Sequence, residues 1–394
     1  MPANTKWILI NGSIIDGLND EVVENSYIKV ENGKITEVQR GEPGETEGFE
    51  IIDCTGKHIL PGLIDCHVHL VWNGSADPQS VIKNEENDRI ALEAYKHALD
   101  TLKLGVTTVR DLGAPDRTVL HVRNVIDSGL LLGPTIIASG APICMTGGHV
   151  YYLGYESDGP DEVRKNTRRV LKEGADLVKV MATGGIYTKG EEPGSVQLTI
   201  EELSAAKEEA LKKNKKVSAH ADGLEGIMNC LEVGIDTIEH GIYADRQALE
   251  IMKNQGTFLV PTMAVMRQLI SSPDIPAYAL EKAKQVVGPH FSMLQEAVQI
   301  GVKIATGTDC GSPLTPPRYY YDELAIMHEA GMSEMEVIKA STNVAAECLG
   351  IEDQRGSISP GKFADLLIVD SNPLNDLNSL RGDKLVMKNG VLVS

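Results

Sequence analysis

Short apolar runs alternate with amphipathic stretches through most of the chain. The apolar runs predict strands at 62–70, 106–112, 135–140, 177–182, 216–221, 237–241, 257–263 and 302–309. Stretches between them, such as NDRIALEAYKHALDTLKLG, have the periodicity of helices with one buried face. Strands that alternate with helices indicate a parallel sheet covered by helices. Eight such units over about 290 residues predict an α/β fold, a (β/α)8 TIM-type barrel, from residue 61 to residue 354.

An open, doubly wound sheet is the rival architecture for this alternation. That fold would ordinarily place a glycine-rich phosphate-binding loop after its first strand, and the sequence has none there. The two chain ends differ from the middle, because they contain short strands broken by turns, with Asn-Gly hairpin signals at 32–33 and 389–390. Neither end is long enough to bury its own core. We therefore expect residues 1–60 and 355–394 to form one discontinuous β-sandwich beside the barrel.

Composition limits the range of partners. The 394 residues are 42% apolar, which is enough for a large barrel and an accessory domain. A net charge of −19 argues against nucleic-acid binding and is typical of a soluble cytoplasmic protein, with a preference for cationic substrates as the alternative. No signal peptide is visible, and no apolar run approaches the ~18 residues of a membrane helix. We expect a cytoplasmic homo-oligomer that binds small-molecule substrates, without nucleic-acid or membrane partners.

The six cysteines are scattered and form no CxxC pair, which favours reduced thiols over a disulfide framework. Cys66 precedes His67 and Cys310 follows Asp309, so either thiolate could in principle bind a metal. Neighbouring residues on a strand point to opposite faces, however. Packing in the core is therefore the favoured role for both cysteines.

Several side chains able to bind metal end the predicted strands. His67 and His69 are two residues apart at the end of the first strand, so both can face the barrel interior. His220 and His240 end neighbouring strands one βα unit apart, and Asp309 ends the last strand. Each alone has an ordinary explanation, such as a hydrogen-bonded histidine or a turn aspartate. Their recurrence at strand ends, where the active sites of such barrels lie, predicts a metal site.

Lys179 lies inside the apolar run LVKVMA, where an unpaired ammonium is costly to bury. An ion pair with a core carboxylate is one explanation. The other is that the unprotonated amine captures carbon dioxide, which gives N6-carboxylysine with two oxygens that can bridge two cations. A bare ammonium beside two dications would be repelled, so modification and metal binding support each other.

These segments resemble a known family. The motifs HVH, VKVMATGG, SAHA, IEHG and GTD, with the flanking PGLIDCHVHL and SPGKFADLLIVD, are similar to those of the amidohydrolase superfamily. The resemblance covers essentially the whole chain. Within the superfamily the chain resembles the binuclear branch of prolidases and Xaa-Arg/Lys carboxypeptidases, often described as imidazolonepropionase-like. The motifs are specific for the superfamily and less specific for the branch.

The resemblance implies a centre with two divalent cations. Six residues would be its ligands: His67, His69, Lys179, His220, His240 and Asp309. The first two histidines and the aspartate would hold the more buried cation, the other two histidines the more exposed one, and the carboxylated lysine would bridge both. Such ligands suit Zn²⁺, with Mn²⁺ or Co²⁺ as substitutes. The cations would acidify water for attack, and Asp309, as the catalytic residue, would carry its proton to the leaving amine.

The substrate is less well defined by the sequence. In the loop CMTGGHVYYLGYESDG, Gly147 and Gly148 could offer backbone N–H groups to an anion and His149 could add a donor, although a flexible turn is the ordinary explanation. In similar prolidase-like enzymes a histidine of a TGGH loop and a tyrosine after IEHG bind the substrate carboxylate. The matching residues are His149 and Tyr243. We expect dipeptides or N-acyl amino acids with a free carboxylate, of Xaa-Pro or Xaa-Arg/Lys type. Further tyrosines either line a pocket for a flat or apolar group or pack: Tyr151, Tyr152, Tyr187, Tyr319, Tyr320 and Tyr321.

Other functions stay open at this point. The family also hydrolyses non-peptide amides, carbamates and ureas, and a phosphotriesterase or lactonase would share the two-metal ligands without needing a carboxylate site. A mononuclear deaminase or imidazolonepropionase would lack the strand lysine, and the His-x-x-Glu of the deaminases is absent at HADG. A non-enzymatic protein on the same scaffold should have lost ligands, whereas this chain retains all of them.

Overall fold

The computed structural model describes residues 5–272 and 274–393. The chain begins with five strands: β1 (Trp7–Ile14), β2 (Val23–Glu31), β3 (Lys34–Arg40), β4 (Glu50–Asp53) and β5 (His58–Pro61). The β2–β3 hairpin turns at Asn32 and Gly33, whose φ angles of 52° and 77° are the left-handed values that such a tight turn requires. The predicted hairpin is therefore present.

The middle of the chain supplies parallel strands: β6 (Leu63–Val68), β7 (Val106–Asp111), β8 (Thr135–Ala138), β9 (Ile143–Cys144), β10 (Tyr155–Glu156), β11 (Val178–Met181), β12 (Val217–Ala221), β13 (Thr237–His240) and β14 (Phe258–Val260). One sheet has the order β6-β7-β8 and another the order β10-β9-β11-β12-β13-β14. The seven longer strands match the first seven predicted ones, and β6, β7 and β11 to β14 are buried along their whole length.

The segment predicted as the eighth strand, 302–309, makes isolated bridges rather than a regular strand. Ile304 pairs in parallel with Leu259 of β14, and Cys310 pairs in parallel with Val68 of β6. The segment thus lies between the last and the first strand of the series, and its bridges connect the two sheets. The predicted TIM-type barrel is confirmed, with an irregular eighth position that carries Asp309.

Helices follow most of the barrel strands. Their bounds are α1 (Pro78–Asn84), α2 (Asn87–Lys103), α3 (Thr118–Asp127), α4 (Pro160–Glu173), α5 (Ile200–Leu211), α6 (Leu224–Val233), α7 (Arg246–Gln255), α8 (Met263–Ser271), α9 (Ala277–Ile300), α10 (Tyr320–Glu329), α11 (Glu334–Ala340) and α12 (Asn343–Leu349). Short 3-10 helices cover Pro317–Tyr319 and Leu377–Arg381. The start of α5 is fixed by a capping box between Thr199 and Glu202, as its sequence TIEEL favours. No helix in the described part of the chain has the length and apolar character needed to cross a bilayer.

The C-terminal strands are β15 (Leu366–Val369), β16 (Lys384–Lys388) and β17 (Val391–Leu392). Strand β15 pairs antiparallel with β5, so both chain ends join one eight-stranded sheet of order β17-β16-β15-β5-β1-β2-β3, with β4 beside β1. Leu9, Ile28, Ile59 and Ile368 belong to a core cluster of this sheet that is separate from the barrel core. Strands from both predicted terminal segments therefore pack together, while the boundaries at 60 and 355 stay predictions.

Candidate metal centre

The carboxyl ends of the barrel strands meet at an open cavity of about 680 Å³. The six predicted ligands all line it: His67, His69, Lys179, His220, His240 and Asp309. Parallel pairing explains the convergence, because Met181 lies opposite His220 and Ala221 lies opposite His240 across neighbouring strands. The strand ends are thus at one level, as the sequence pattern predicts.

The histidine rings form a continuous row across the floor of the cavity. The ring centroids of His69 and His67 are 5.5 Å apart, those of His67 and His240 are 5.0 Å apart, and those of His240 and His220 are 4.8 Å apart. The row continues to His149, which stacks on His220 at 4.2 Å. Four imidazoles held this close, without intervening apolar side chains, favour a shared ligand over independent structural roles.

A candidate metal-binding triad lies at one end of this row. Single ligand atoms of His67, His69 and Asp309 all fall within 4.8 Å of one another. Asp309 Oδ1 lies 3.7 Å from His67 Nε2 and 3.6 Å from His69 Nε2. Both imidazoles and the carboxylate therefore surround one point, which suits a divalent cation with nitrogen and oxygen ligands.

Each ring has one nitrogen held by the protein, which leaves the other for a ligand. His67 Nδ1 lies 2.9 Å from Glu239 Oε2, His69 Nδ1 lies 3.0 Å from the Gly113 carbonyl oxygen, and His240 Nδ1 lies 2.6 Å from Thr262 Oγ1. In His220 the held nitrogen is instead Nε2, which lies 3.4 Å from the Gly184 carbonyl oxygen. Such partners orient metal-binding histidines and fix their tautomers.

The protonation states also suit a cation. Burial lowers the pKa of His67 to about 4, and burial holds the pKa values of His69, His220 and His240 well below the ordinary range. Neutral imidazole is the form that binds metal. The four rings are therefore ready to bind at neutral pH without first losing a proton.

Lys179 projects from β11 into the same cavity and is only 2% exposed. Among residues 5–272 and 274–393 its Nζ has no hydrogen-bond partner. Burial lowers the pKa of this amine to about 8, so a fraction of it is unprotonated near neutral pH. The described residues contain no direct ion pair between Lys179 and a core carboxylate. A buried amine without a partner fits carboxylation and cation binding.

A buried ion pair that sequence reasoning missed supports the first histidine. The Glu239 carboxylate accepts hydrogen bonds from Arg110 Nη2 at 2.7 Å, Ser218 Oγ at 2.7 Å and Thr237 Oγ1 at 2.6 Å, and it also holds His67 Nδ1. Arg110 is 1% exposed and Glu239 is fully buried. The sequence did contain a signal for this pair, because Arg110 lies inside the apolar run VTTVRDL and Glu239 inside TIEHG. A charged residue within an apolar run is the same signal that identified Lys179.

Three non-glycine residues at the centre have left-handed backbone. His240 has a φ of 69°, Thr262 has a φ of 51° and Asp309 has a φ of 56°. Residues other than glycine seldom adopt these values, and they persist where surrounding structure holds them for a functional reason. Side chains along a strand ordinarily alternate between its two faces, and the left-handed backbone at His240 interrupts this alternation at the end of β13. The His240 ring can therefore line the cavity although Glu239, the residue before it, also points into the barrel.

His149 occupies the rim next to the row of rings. Its Nδ1 lies 3.2 Å from Glu191 Oε2, and its backbone N–H donates to Gln197 Oε1 at 2.9 Å. The ring sits directly over Gly185, where a Cβ atom would come within 2.3 Å of the imidazole. His149 is therefore a fixed element of the cavity wall and not a mobile surface histidine.

Of the two interpretations of Gly147 and Gly148, the one in which their N–H groups bind a substrate anion is not supported. Gly147 N–H donates to Glu156 Oε1 at 2.7 Å, and Gly148 N–H donates to the Met145 carbonyl at 2.9 Å, so internal acceptors already take both. Tyr243 lies outside the residues that line the cavity and is 38% exposed, with its N–H bonded to the Asp222 carbonyl. Its predicted role in carboxylate binding stays a prediction.

One wall of the cavity is apolar. It is formed chiefly by Trp72, Tyr152, Ile186, Tyr187, Met266 and Leu269. Of the tyrosines considered from the sequence, Tyr152 and Tyr187 line this wall, whereas Tyr320 and Tyr321 are buried in the barrel core. All six cysteines are buried free thiols, and Cys66 packs among apolar side chains as predicted.

Comparisons with known proteins agree with this geometry. A model of the amidohydrolase family matches residues 58–393. Ochratoxinase from Aspergillus niger is 30% identical over 363 residues, which span 83% of this chain and 73% of that enzyme.

Solved structures extend the likeness to the whole fold. The crystal structure of a Xaa-Pro dipeptidase with methionine bound in its active site matches with a TM-score of 0.92 and 33% identity, over 99% of this chain and 100% of that one. A prolidase complexed with N-methylphosphonate-L-proline matches with a TM-score of 0.92 and 28% identity, over 99% and 100% of the two chains. The chain belongs to the amidohydrolase family, as its motifs predict, and is a metal-dependent hydrolase of C–N bonds.

Proposed function

We propose that this enzyme uses two divalent cations to hydrolyse the amide bond of small substrates that carry a free carboxylate and apolar side chains. Dipeptides and N-acyl amino acids are substrate classes of this kind. The observation that carries the proposal is the convergence of four imidazoles, a carboxylate and an orphaned buried amine beside an apolar wall.

The ligands fall into two groups. His67, His69 and Asp309 would hold one cation, His220 and His240 would hold the other, and Lys179, as N6-carboxylysine, would bridge them. Zn²⁺ suits these donors, and Mn²⁺ or Co²⁺ could substitute. When bound, the cations would supply Lewis-acid polarisation of the scissile carbonyl and lower the pKa of the attacking water.

Asp309 has the properties of the proton carrier. Burial raises the pKa of its carboxyl to about 7 in the metal-free protein, and its Oδ1 lies within 3.7 Å of the Nε2 atoms of His67 and His69, beside the water that the cations would activate. Ser312 Oγ donates to its Oδ1 at 2.8 Å and fixes the side chain. Asp309 would take a proton from the attacking water and deliver it to the leaving nitrogen, because an amide anion is too basic to leave.

The apolar wall favours apolar side chains over those of arginine or lysine. Asp222 and Asp309 are the carboxylates among the described cavity-lining residues, and each lies beside a histidine of the row, Asp309 at His69 and Asp222 at His220. A cationic side chain placed against Met266 and Leu269 would lose its hydration without gaining a partner. The methionine in the Xaa-Pro dipeptidase and the proline compound in the prolidase are both apolar amino-acid groups, which supports this choice.

The free carboxylate would be bound by His149, with Tyr243 as the second predicted contact. His149 is the cavity-lining residue on the rim whose imidazole is not needed as a ligand, and Glu191 Oε2, 3.2 Å from its Nδ1, orients the ring. Assembly as a cytoplasmic homo-oligomer stays a separate prediction.

The proposal is tested with Zn²⁺-, Mn²⁺- and Co²⁺-loaded enzyme on matched dipeptides. The set contains Leu-Phe, Leu-Met, Leu-Pro and Leu-Arg, each with a free and an amidated C-terminus. We expect the three apolar substrates to be hydrolysed with the highest kcat/KM and amidation to reduce it strongly. The His149→Gln variant should lose most of the preference for the free carboxylate, whereas the control variant of exposed His121, His121→Gln, should retain it.

Two outcomes would redirect the assignment. Activity on blocked esters or lactones without activity on the dipeptides would indicate a phosphotriesterase or lactonase. Highest activity on Leu-Arg would show that the apolar wall does not select the side chain and would favour the Xaa-Arg/Lys type. Absence of turnover on every dipeptide and on N-acyl amino acids would contradict the proposed substrate classes altogether.

A further inference from the structure

Asp222 is a buried carboxylate in the cavity wall that neither the metal ligands nor the proton transfer uses. It directly follows β12 and is 1% exposed. Its backbone is fixed from both sides, because its N–H donates to Thr183 Oγ1 at 2.9 Å and its carbonyl accepts from the Tyr243 N–H at 2.9 Å. The backbone from which the carboxylate projects is therefore held in place beside the cavity.

The two oxygens of this carboxylate have different surroundings. Oδ2 lies 3.4 Å from His220 Nε2, the ring nitrogen that also lies 3.4 Å from the Gly184 carbonyl oxygen. Oδ1 is buried and has no hydrogen-bond partner among residues 5–272 and 274–393. A buried carboxylate oxygen is ordinarily satisfied, and Asp222 is one of the residues that line the substrate cavity, so its unpaired oxygen points to a donor on the ligand.

We propose that Asp222 binds the free α-ammonium group of the substrate, so that the enzyme acts on dipeptides in preference to N-acyl amino acids. This inference rests on the proposed function and narrows it. An ammonium group is the donor that best matches a buried carboxylate, because it supplies both hydrogen bonds and the opposite charge.

The position of Asp222 indicates which positively charged group of a peptide it can bind. The carboxylate touches His220, so its donor must lie close to the reacting centre. An α-ammonium nitrogen is two bonds from the scissile carbonyl carbon, a separation of about 2.5 Å. The side-chain cations of lysine and arginine are several bonds further away. The α-ammonium is therefore the group that can reach Asp222 while the carbonyl occupies the centre.

The test compares two substrates that differ only in the ammonium group, Leu-Phe and 4-methylpentanoyl-Phe. The wild-type enzyme should prefer Leu-Phe in kcat/KM by about 10- to 100-fold, the usual effect of a hydrogen bond to a charged group. In Asp222→Asn, which keeps the shape and can still accept from His220, this ratio should fall by at least about tenfold, mainly through KM. Because both substrates are measured on one preparation, incomplete folding or metal loading cancels from the ratio.

A merely positioning role for Asp222 would give a different result. If the residue only orients His220, Asp222→Asn would lower kcat for both substrates alike and would bind fewer metal ions per chain, which mass spectrometry of the metal content would detect. An unchanged ratio, or a wild-type enzyme that hydrolyses both substrates equally well, would overturn the inference while leaving the proposed function intact. Failure of the wild-type enzyme on both substrates would instead contradict the proposed function.

Discussion

The Glu239→Gln substitution is the sharpest single perturbation of the supporting structure around the metal centre. It replaces one carboxylate oxygen by an amide group of the same size. In the native protein one oxygen of Glu239 accepts from Arg110, Ser218 and Thr237, and the other holds His67 Nδ1. A glutamine that keeps its oxygen toward the three donors must turn its NH₂ group toward His67.

Two consequences follow, with separate magnitudes. Arg110 would be left as a buried charge without its carboxylate, which costs about 3–5 kcal/mol in the free energy of unfolding. His67 would face a donor at Nδ1 and would have to carry its proton on Nε2, the nitrogen needed for the cation. Loss of such an orienting partner lowers metal affinity by about 10- to 100-fold. The effects on stability and on affinity should thus appear together in one variant.

The assay separates the two effects. Chemical denaturation of metal-free proteins gives the stability difference without the contribution of bound metal. Zn²⁺ affinity is then measured by competition with a chelating dye. The matched control is Glu250→Gln, at an exposed glutamate that lies 3.0 Å from Arg246, which should change stability by less than about 0.5 kcal/mol. A Glu239→Gln protein as stable as wild type, or with the same Zn²⁺ affinity, would refute this reasoning.

Three further predictions address the reaction and the electrostatics. Asp309→Asn should keep the circular dichroism spectrum and reduce kcat by about 10²- to 10⁴-fold, since no proton carrier remains; retention of wild-type turnover would contradict the role. Lys179→Arg keeps a cation but cannot form a carbamate, so it should bind fewer metal ions than wild type, and bicarbonate should speed reactivation of chelator-treated wild type only. Arg168 and Lys212 hold the pKa of Glu209 well below its usual range, so the carboxylate stabilises the fold above the unfolded pKa of about 4.3 and this contribution is lost as pH falls. Glu209→Gln should therefore be less stable than wild type by up to about 1 kcal/mol at pH 7, with the difference shrinking toward pH 3 in urea titrations; a gap that widens on acidification would contradict the sign.

The sequence was informative wherever local pattern determines position. Alternating apolar runs predicted the barrel strands, and the two-residue spacing of His67 and His69 predicted that both rings face one side. Lys179 could be singled out because a charge inside an apolar run requires an explanation. These inferences need only the period of a strand and the cost of burying a charge.

Other features depend on contacts between distant segments. The ordinary alternation of a strand predicts that Glu239 and His240 point to opposite faces, and only the left-handed backbone at His240 brings both inward. The N–H groups of the TGGH loop are taken by Glu156, nine residues beyond Gly147, which no turn rule foretells. The unpaired oxygen of Asp222 likewise becomes visible only when all its neighbours are known.

The central claim is that two divalent cations share one carboxylated lysine. Anomalous diffraction from crystals grown with Zn²⁺ and bicarbonate, collected on both sides of the zinc edge, tests it most directly. We expect two anomalous peaks a few ångströms apart, one beside His67 and Asp309 and one beside His220, with density extending from Lys179 Nζ to both. A single peak, or a lysine that ends at Nζ between two fully occupied peaks, would contradict the account.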